Sequence, residues 1–164
     1  MGSRVSAVLV SLLLHPVATT IAQDRAWVVE GTLGYAGFVD DATKNYWAAG
    51  GGLRRYVTPR LSLGPELVLM HNSNLATDRQ IMATGNITFE THRAMRLTPF
   101  VVGGFGVLAT RDQVRGGPFW SSDPAFTVGG GVRARAGERV SATAEYRFGW
   151  GLHHRVTGSV GFHW

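Results

Sequence analysis

The sequence predicts an all-β chain: an eight-stranded antiparallel up-and-down barrel that crosses a membrane with its strands. Three observations predict it. From Ala26 onward, apolar and polar residues alternate with period 2 in successive stretches of about ten residues, the length of a tilted transmembrane strand. The last stretch places Val156, Val160, Phe162 and Trp164 on one face and Thr157, Ser159 and His163 on the other. Such a strand would be an unprotected apolar edge in a soluble sheet, whereas a closed barrel pairs it with the first strand. The longest apolar run, Val5 to Leu14, falls well short of the roughly 20 residues a spanning helix needs.

That run follows Arg4, is broken by Pro16 and leads to small residues at Thr20 and Ala22. Residues 1–22 are therefore expected to be a signal peptide that is removed, leaving residues 23–164 as a single barrel domain. The chain has no cysteine, which excludes disulfides and thiolate metal sites. Its 22 glycines cluster at Gly50-Gly51-Gly52, Gly103-Gly104 and Gly129-Gly130-Gly131, where a small barrel must bend its strands tightly. The net charge is +5 and arginine far outnumbers lysine. A nucleic-acid role would need a solvated basic face on a protein that meets nucleic acid; for an exported chain none is expected.

Each strand is read in turn from its alternation. The first, near Ala26–Tyr35, sets Trp27, Val29, Leu33 and Tyr35 against Glu30 and Thr32. The second, Tyr46–Val57, sends Trp47, Ala49 and Leu53 outward and Arg54 inward, and Thr58-Pro59-Arg60 turns the chain. The third, Leu61–His71, alternates Leu61, Leu63, Leu67 and Leu69 with Ser62, Gly64 and Glu66; Pro65 on its apolar face suggests a bulge. The fourth, Arg79–Glu90, sets Ile81, Ala83, Ile87 and Phe89 against Thr84, Asn86, Thr88 and Glu90. The fifth, Leu97–Ala109, sends Val101, Phe105 and Val107 outward. A long loop, Thr110 to Pro124, is expected next. The sixth strand, Ala125–Arg135, and the seventh, Arg139–Trp150, follow around the tight turn Ala136-Gly137-Glu138. His153-His154 is placed in the last external loop.

With an even strand number both termini lie on the periplasmic side. The loops 36–45, 72–78 and 110–124 then face outside, where an extracellular ligand could meet them. Tyr35, Trp47, Phe89, Trp150 and Trp164 lie near strand ends on the apolar face, as an aromatic girdle requires.

The alternation directs Glu30, Arg54, Glu66, Arg133, Glu145, Arg147 and Arg155 into the lumen. An eight-stranded barrel is only wide enough for side chains to fill, so these charges must pair with one another as a structural core. A gated proton or ion path through the same residues is the alternative use of them, and a small-solute channel is a further alternative for the barrel. A soluble lipocalin-like barrel is the alternative fold, with the apolar face turned inward around a ligand. One stretch has a chemical flavour: His71 and Ser73 share the outward face, where an imidazole could deprotonate a hydroxyl. His153-His154 has no further ligand nearby, so no metal and no cofactor are expected. Phe119-Trp120 is assigned to the headgroup layer.

The pieces Gly64-Pro65-Glu66, Pro99-Phe100-Val101-Val102-Gly103-Gly104, Gly129-Gly130-Gly131-Val132-Arg133, Glu145-Tyr146-Arg147 and Val160-Gly161-Phe162-His163-Trp164 resemble the small outer-membrane β-barrel proteins of the OmpA/OmpX type. The resemblance implies an outer-membrane location, a Gram-negative envelope, contact with outer-membrane lipid and lipopolysaccharide, and a non-catalytic structural or surface-interaction role. It also implies that Phe162 and Trp164 form a C-terminal signal read by the barrel-assembly machinery. His71-x-Ser73-Asn74 is similar to the His-x-Ser-Asn motif of lipid A deacylase barrels, which implies a lipid A-modifying esterase as the alternative activity. The motif here lies on strand three, earlier than in that family, and strand four offers no outward carboxylate to orient the histidine.

Overall fold

Alternation becomes a closed barrel because each strand has one face fit for lipid and one for a packed interior. The computed structural model describes residues 27–38, 45–72, 79–91, 96–114, 117–149 and 153–164. Its strands are β1 (Trp27–Phe38), β2 (Asn45–Tyr56), β3 (Leu61–Asn72), β4 (Arg79–Glu90), β5 (Leu97–Val114), β6 (Gly117–Ala136), β7 (Val140–Gly149) and β8 (His153–His163). All neighbours are antiparallel and β8 closes on β1.

The register fixes the barrel's shape. A row of paired residues runs from Trp27 through Arg55, Leu63, Ile87, Gly103, Val128, Phe148 and His154 and returns to β1 at Gly37, ten residues beyond its start. With strands about 4.8 Å apart and a rise of about 3.3 Å per residue, that shift tilts the strands by about 40° and sets a radius of about 8 Å. Side chains from opposite walls fill such an interior.

The outer face is apolar. Leu33 and Phe105 are each 70% exposed and Trp47 67% exposed, a surface that water would not tolerate and lipid requires. The seven charged residues singled out from the sequence face inward and the apolar residues outward, so the lipocalin-like alternative is excluded. Trp27 and Trp164 sit at the terminal end, where their backbones exchange hydrogen bonds of 3.3 and 3.1 Å. Gly137, at a φ of 87°, permits the tight turn before β7.

Four expectations change. Residues 110–114 and 117–124 are not a loop: β5 continues to Val114 and β6 begins at Gly117. Polar residues, Gly117 and Pro118 interrupt the apolar alternation there, yet ladder pairing carries through to Val114↔Gly117. Residues 36–38 and 45, read as loop, lie in β1 and β2. His153 and His154 begin β8 and point to opposite faces rather than lying in a loop. No bulge occurs at Pro65, because the register is the same at Gly52↔Glu66 and Arg55↔Leu63. The strands instead approach very closely there. A Cβ on Gly64 would stand 1.7 Å from the Leu53 carbonyl oxygen. Ser73, Trp150 and the signal-peptide segment lie outside the described residues.

Among the described residues β6 pairs with β7 as far as Thr127↔Gly149. Arg135 donates its backbone N–H to Arg96 on the β5 side, so the N–H groups of odd-numbered β6 residues point toward β5 and those of even-numbered ones away from it. Pro118 and Pro124 are both even, so their missing N–H groups fall on the side away from β5 and leave the β5–β6 ladder intact.

Candidate functional site in the barrel lumen

The lumen is filled in three layers. At the terminal end, Arg54 reaches Glu30 at 2.7 Å and Glu90 at 3.4 Å. Arg133 pairs with Glu90 and lies 3.6 Å from Glu30. Tyr56 donates its hydroxyl to Glu90 at 2.5 Å. The guanidinium of Arg133 also stacks on Phe100, 4.9 Å from the ring centre, and that of Arg54 on Tyr56 at 5.3 Å. Two carboxylates thus face two guanidiniums. Below them His163 and Ser141 approach to 2.9 Å, both buried.

A second cluster lies deeper. Arg147 binds Glu145 through two nitrogens at 2.5 and 3.1 Å and Glu66 at 2.8 Å. Arg155 reaches Glu66 at 2.8 Å and Glu145 at 3.7 Å. Asn86 donates to Glu66 at 2.7 Å and accepts from Arg147 at 3.2 Å. This cluster too holds two carboxylates and two guanidiniums. Neutrality within each cluster matters, because one uncompensated charge in a low-dielectric interior costs several kcal/mol, about 3–5 when a partner is removed. Inward Gly129 makes the cluster possible. A Cβ there would lie 2.8 Å from the Cγ of Arg147.

The third layer, toward the far end, is apolar rather than charged. Ala36, Tyr46, Ala48, Val68, Met70, Met82 and Ala125 form a buried core, with Phe38 and Leu108 packed against it. Between the two ion clusters a cavity of about 40 Å³ remains, lined by Thr32, Thr88, Phe100, Thr143 and Ser159 among others. It is large enough for about two or three water molecules and too small to be a passage.

All seven charged residues singled out from the sequence lie in this lumen. Glu90, Tyr56 and Phe100 were not singled out. The alternation of strand four puts Glu90 on the inward face, and the structure adds it to the charged set, where it receives Arg54, Arg133 and Tyr56. Its position as the last strand residue before a turn concealed its role. The expectation of a lumen filled by Glu/Arg pairs alone is corrected by the apolar far layer. Val68 and Met70 belong to an unbroken apolar run, Leu67 to Met70, in which the inward pair cannot be told from the outward one by hydropathy.

His71 stands exposed on the outer face, paired in the ladder with Trp47 and Arg79. No described carboxylate bonds to it, and Ser73 and Asp78 lie outside the described residues. Among the described residues no group of His, Asp and Glu could hold a metal ion.

No family model and no curated protein matches the sequence. Solved structures do match the fold. The N-terminal β-barrel domain of Pseudomonas aeruginosa OprF superposes with a TM-score of 0.70 at 15% identity, covering 86% of this chain and 99% of that one. Neisserial surface protein A gives 0.70 at 9% identity, covering 84% and 96%. The fold is that of the small outer-membrane β-barrels. Ail of Yersinia pestis, solved with the heparin analogue sucrose octasulfate, gives 0.55 at 11% identity and covers 84% and 95%. The apolar band around this chain and its closed ring of strands are, like theirs, those of a barrel that crosses a membrane with its strands.

Proposed function

We propose that this chain is a non-catalytic outer-membrane barrel that conducts no solute and acts through its surface, as a structural element and an interaction platform. The observation that carries the proposal is the layered filling of the lumen: two neutral Glu/Arg clusters and an apolar plug leave a cavity of about 40 Å³. The termini are periplasmic, and the working surface is the far end, where residues 36–45, 72–78 and the 110–124 hairpin face outside. Phe162 and Trp164 present the C-terminal strand to the barrel-assembly machinery.

Planar-bilayer recording tests this. The folded protein, recognised by faster gel migration before boiling, is expected to give no steady conductance above bare membrane. Long-lived unitary openings would refute a sealed lumen. Lipid A from a host expressing wild type or Ser73→Ala is expected to have the same mass; loss of one acyl chain with wild type alone would make the chain an esterase.

A further inference from the structure

A continuous outward-facing row crosses the far end of the barrel. Trp47 pairs with His71, His71 with Arg79, Arg79 with Arg111 and Arg111 with Trp120. All five side chains are exposed. Arg111 stacks over Trp120, 5.5 Å from the ring centre. The ion pairs of the described residues engage neither Arg79 nor Arg111, in contrast to the lumen, where every arginine singled out meets a carboxylate. The row itself contains no acidic residue.

Its height is informative. A strand tilted by about 40° climbs about 2.5 Å per residue, and each step to the next strand of a paired row climbs about 3 Å. Three such steps from Trp27 reach Ile87, and Arg79 lies eight residues farther along β4. Arg79 therefore stands about 29 Å above Trp27 and Arg111 about 32 Å, just beyond an apolar band about 25 Å tall. Directly below them Ile81 pairs with Ala109, and Ala83 with Val107, all on the lipid-facing side. The small alanines leave a shallow apolar track beneath the two guanidiniums.

We propose that Arg79 and Arg111, flanked by His71 and Trp120, form a docking site for the phosphate of an outer-leaflet phosphoglycolipid whose acyl chain lies on the Ala83–Ala109 track. Guanidiniums on neighbouring strands suit a phosphate, because each presents paired N–H donors and keeps its charge. The Trp120 indole, stacked against Arg111, settles at the same interface. The occupant is a membrane lipid rather than a soluble anion because the cations sit at the rim of the lipid-facing wall, continuous with its apolar surface. The site rests on the proposed orientation with periplasmic termini.

Native mass spectrometry of the folded barrel, in a neutral detergent, tests the site with a bis-phosphorylated lipid A and the same glycolipid stripped of its phosphates. Wild type is expected to retain the phosphorylated lipid at least about tenfold better. Arg79→Gln/Arg111→Gln should erase that preference while keeping heat-modifiable migration, and each single variant should reduce it. Arg60→Gln/Arg139→Gln, at the opposite end, should keep it. Equal retention of the two lipids by wild type would overturn the proposal without any variant. Loss of preference in the opposite-end variant alone would also overturn it, as would a soluble polysulfated sugar displacing the lipid at equal concentration. Protease cleavage of the 110–124 hairpin in intact cells checks the orientation separately. Conductance, measured as above, checks the sealed lumen separately.

Discussion

Glu90→Gln is the sharpest perturbation of the sealed lumen, since it changes one atom's identity and almost no volume. Glu90 is 1% exposed and accepts from Arg54, Arg133 and Tyr56. The amide keeps the shape but leaves two guanidiniums facing the single carboxylate of Glu30, which lies 2.7 Å from Arg54 and 3.6 Å from Arg133. Three lost charge-assisted bonds at about 1.5–3 kcal/mol each would overstate the effect, because they share one network. Removing one partner of a buried pair costs about 3–5 kcal/mol, and that is the expected destabilisation, a large part of a typical 5–15 kcal/mol. Urea unfolding in lipid vesicles, followed by the gel shift between folded and unfolded bands, measures it. Glu90→Gln/Arg133→Gln removes one charge of each sign and should recover at least about 1 kcal/mol relative to the sum of the single variants. Exposed Asp123→Asn should shift stability by less than about 0.5 kcal/mol. A loss below about 1 kcal/mol for Glu90→Gln, or strict additivity in the double variant, would refute the argument that each cluster is held by its neutrality.

Three further outcomes are expected. Gly64→Ala should prevent or severely reduce folding, because its Cβ would enter the Leu53 carbonyl at 1.7 Å, whereas Gly103→Ala, with nothing within 4 Å, should fold like wild type in the same gel-shift assay. Met82→Ala should cost about 2–5 kcal/mol by opening a cavity in the far apolar layer. It should add no conductance in planar bilayers, since both ion clusters still close the lumen below it. Pro124→Thr should add an N–H on the side of β6 that faces away from β5 and raise the dimer fraction in size-exclusion chromatography in detergent; an unchanged monomer would show that this side of Pro124 is not an edge open to a second chain.

Period 2 made most of the barrel legible, because lipid imposes the alternation on every strand and a one-residue slip would turn a whole strand inside out. The faces of β4 follow directly from it: Ile81, Ala83, Ile87 and Phe89 take the lipid side, and Glu90, at an even position, takes the lumen. The charged lumen was legible for the same reason, since Arg54, Arg133 and Glu145 have nowhere else to go. What stayed hidden is what alternation cannot encode. Inward Val68, Met70 and Met82 look like lipid-facing residues, because a lumen layer packed on itself and a surface packed on lipid ask for the same side chains. The hairpin beyond Thr110 looks like a loop, because a strand pair above the membrane has no apolar face to write. The Arg79–Arg111 row was hidden for a third reason: it exists only across strands, where Trp47, His71, Arg79, Arg111 and Trp120 are separated in sequence and joined by register alone. Hydropathy along the chain reports each residue's solvent; only the pairing reports its neighbours, and the surface chemistry of this barrel lies in the neighbours.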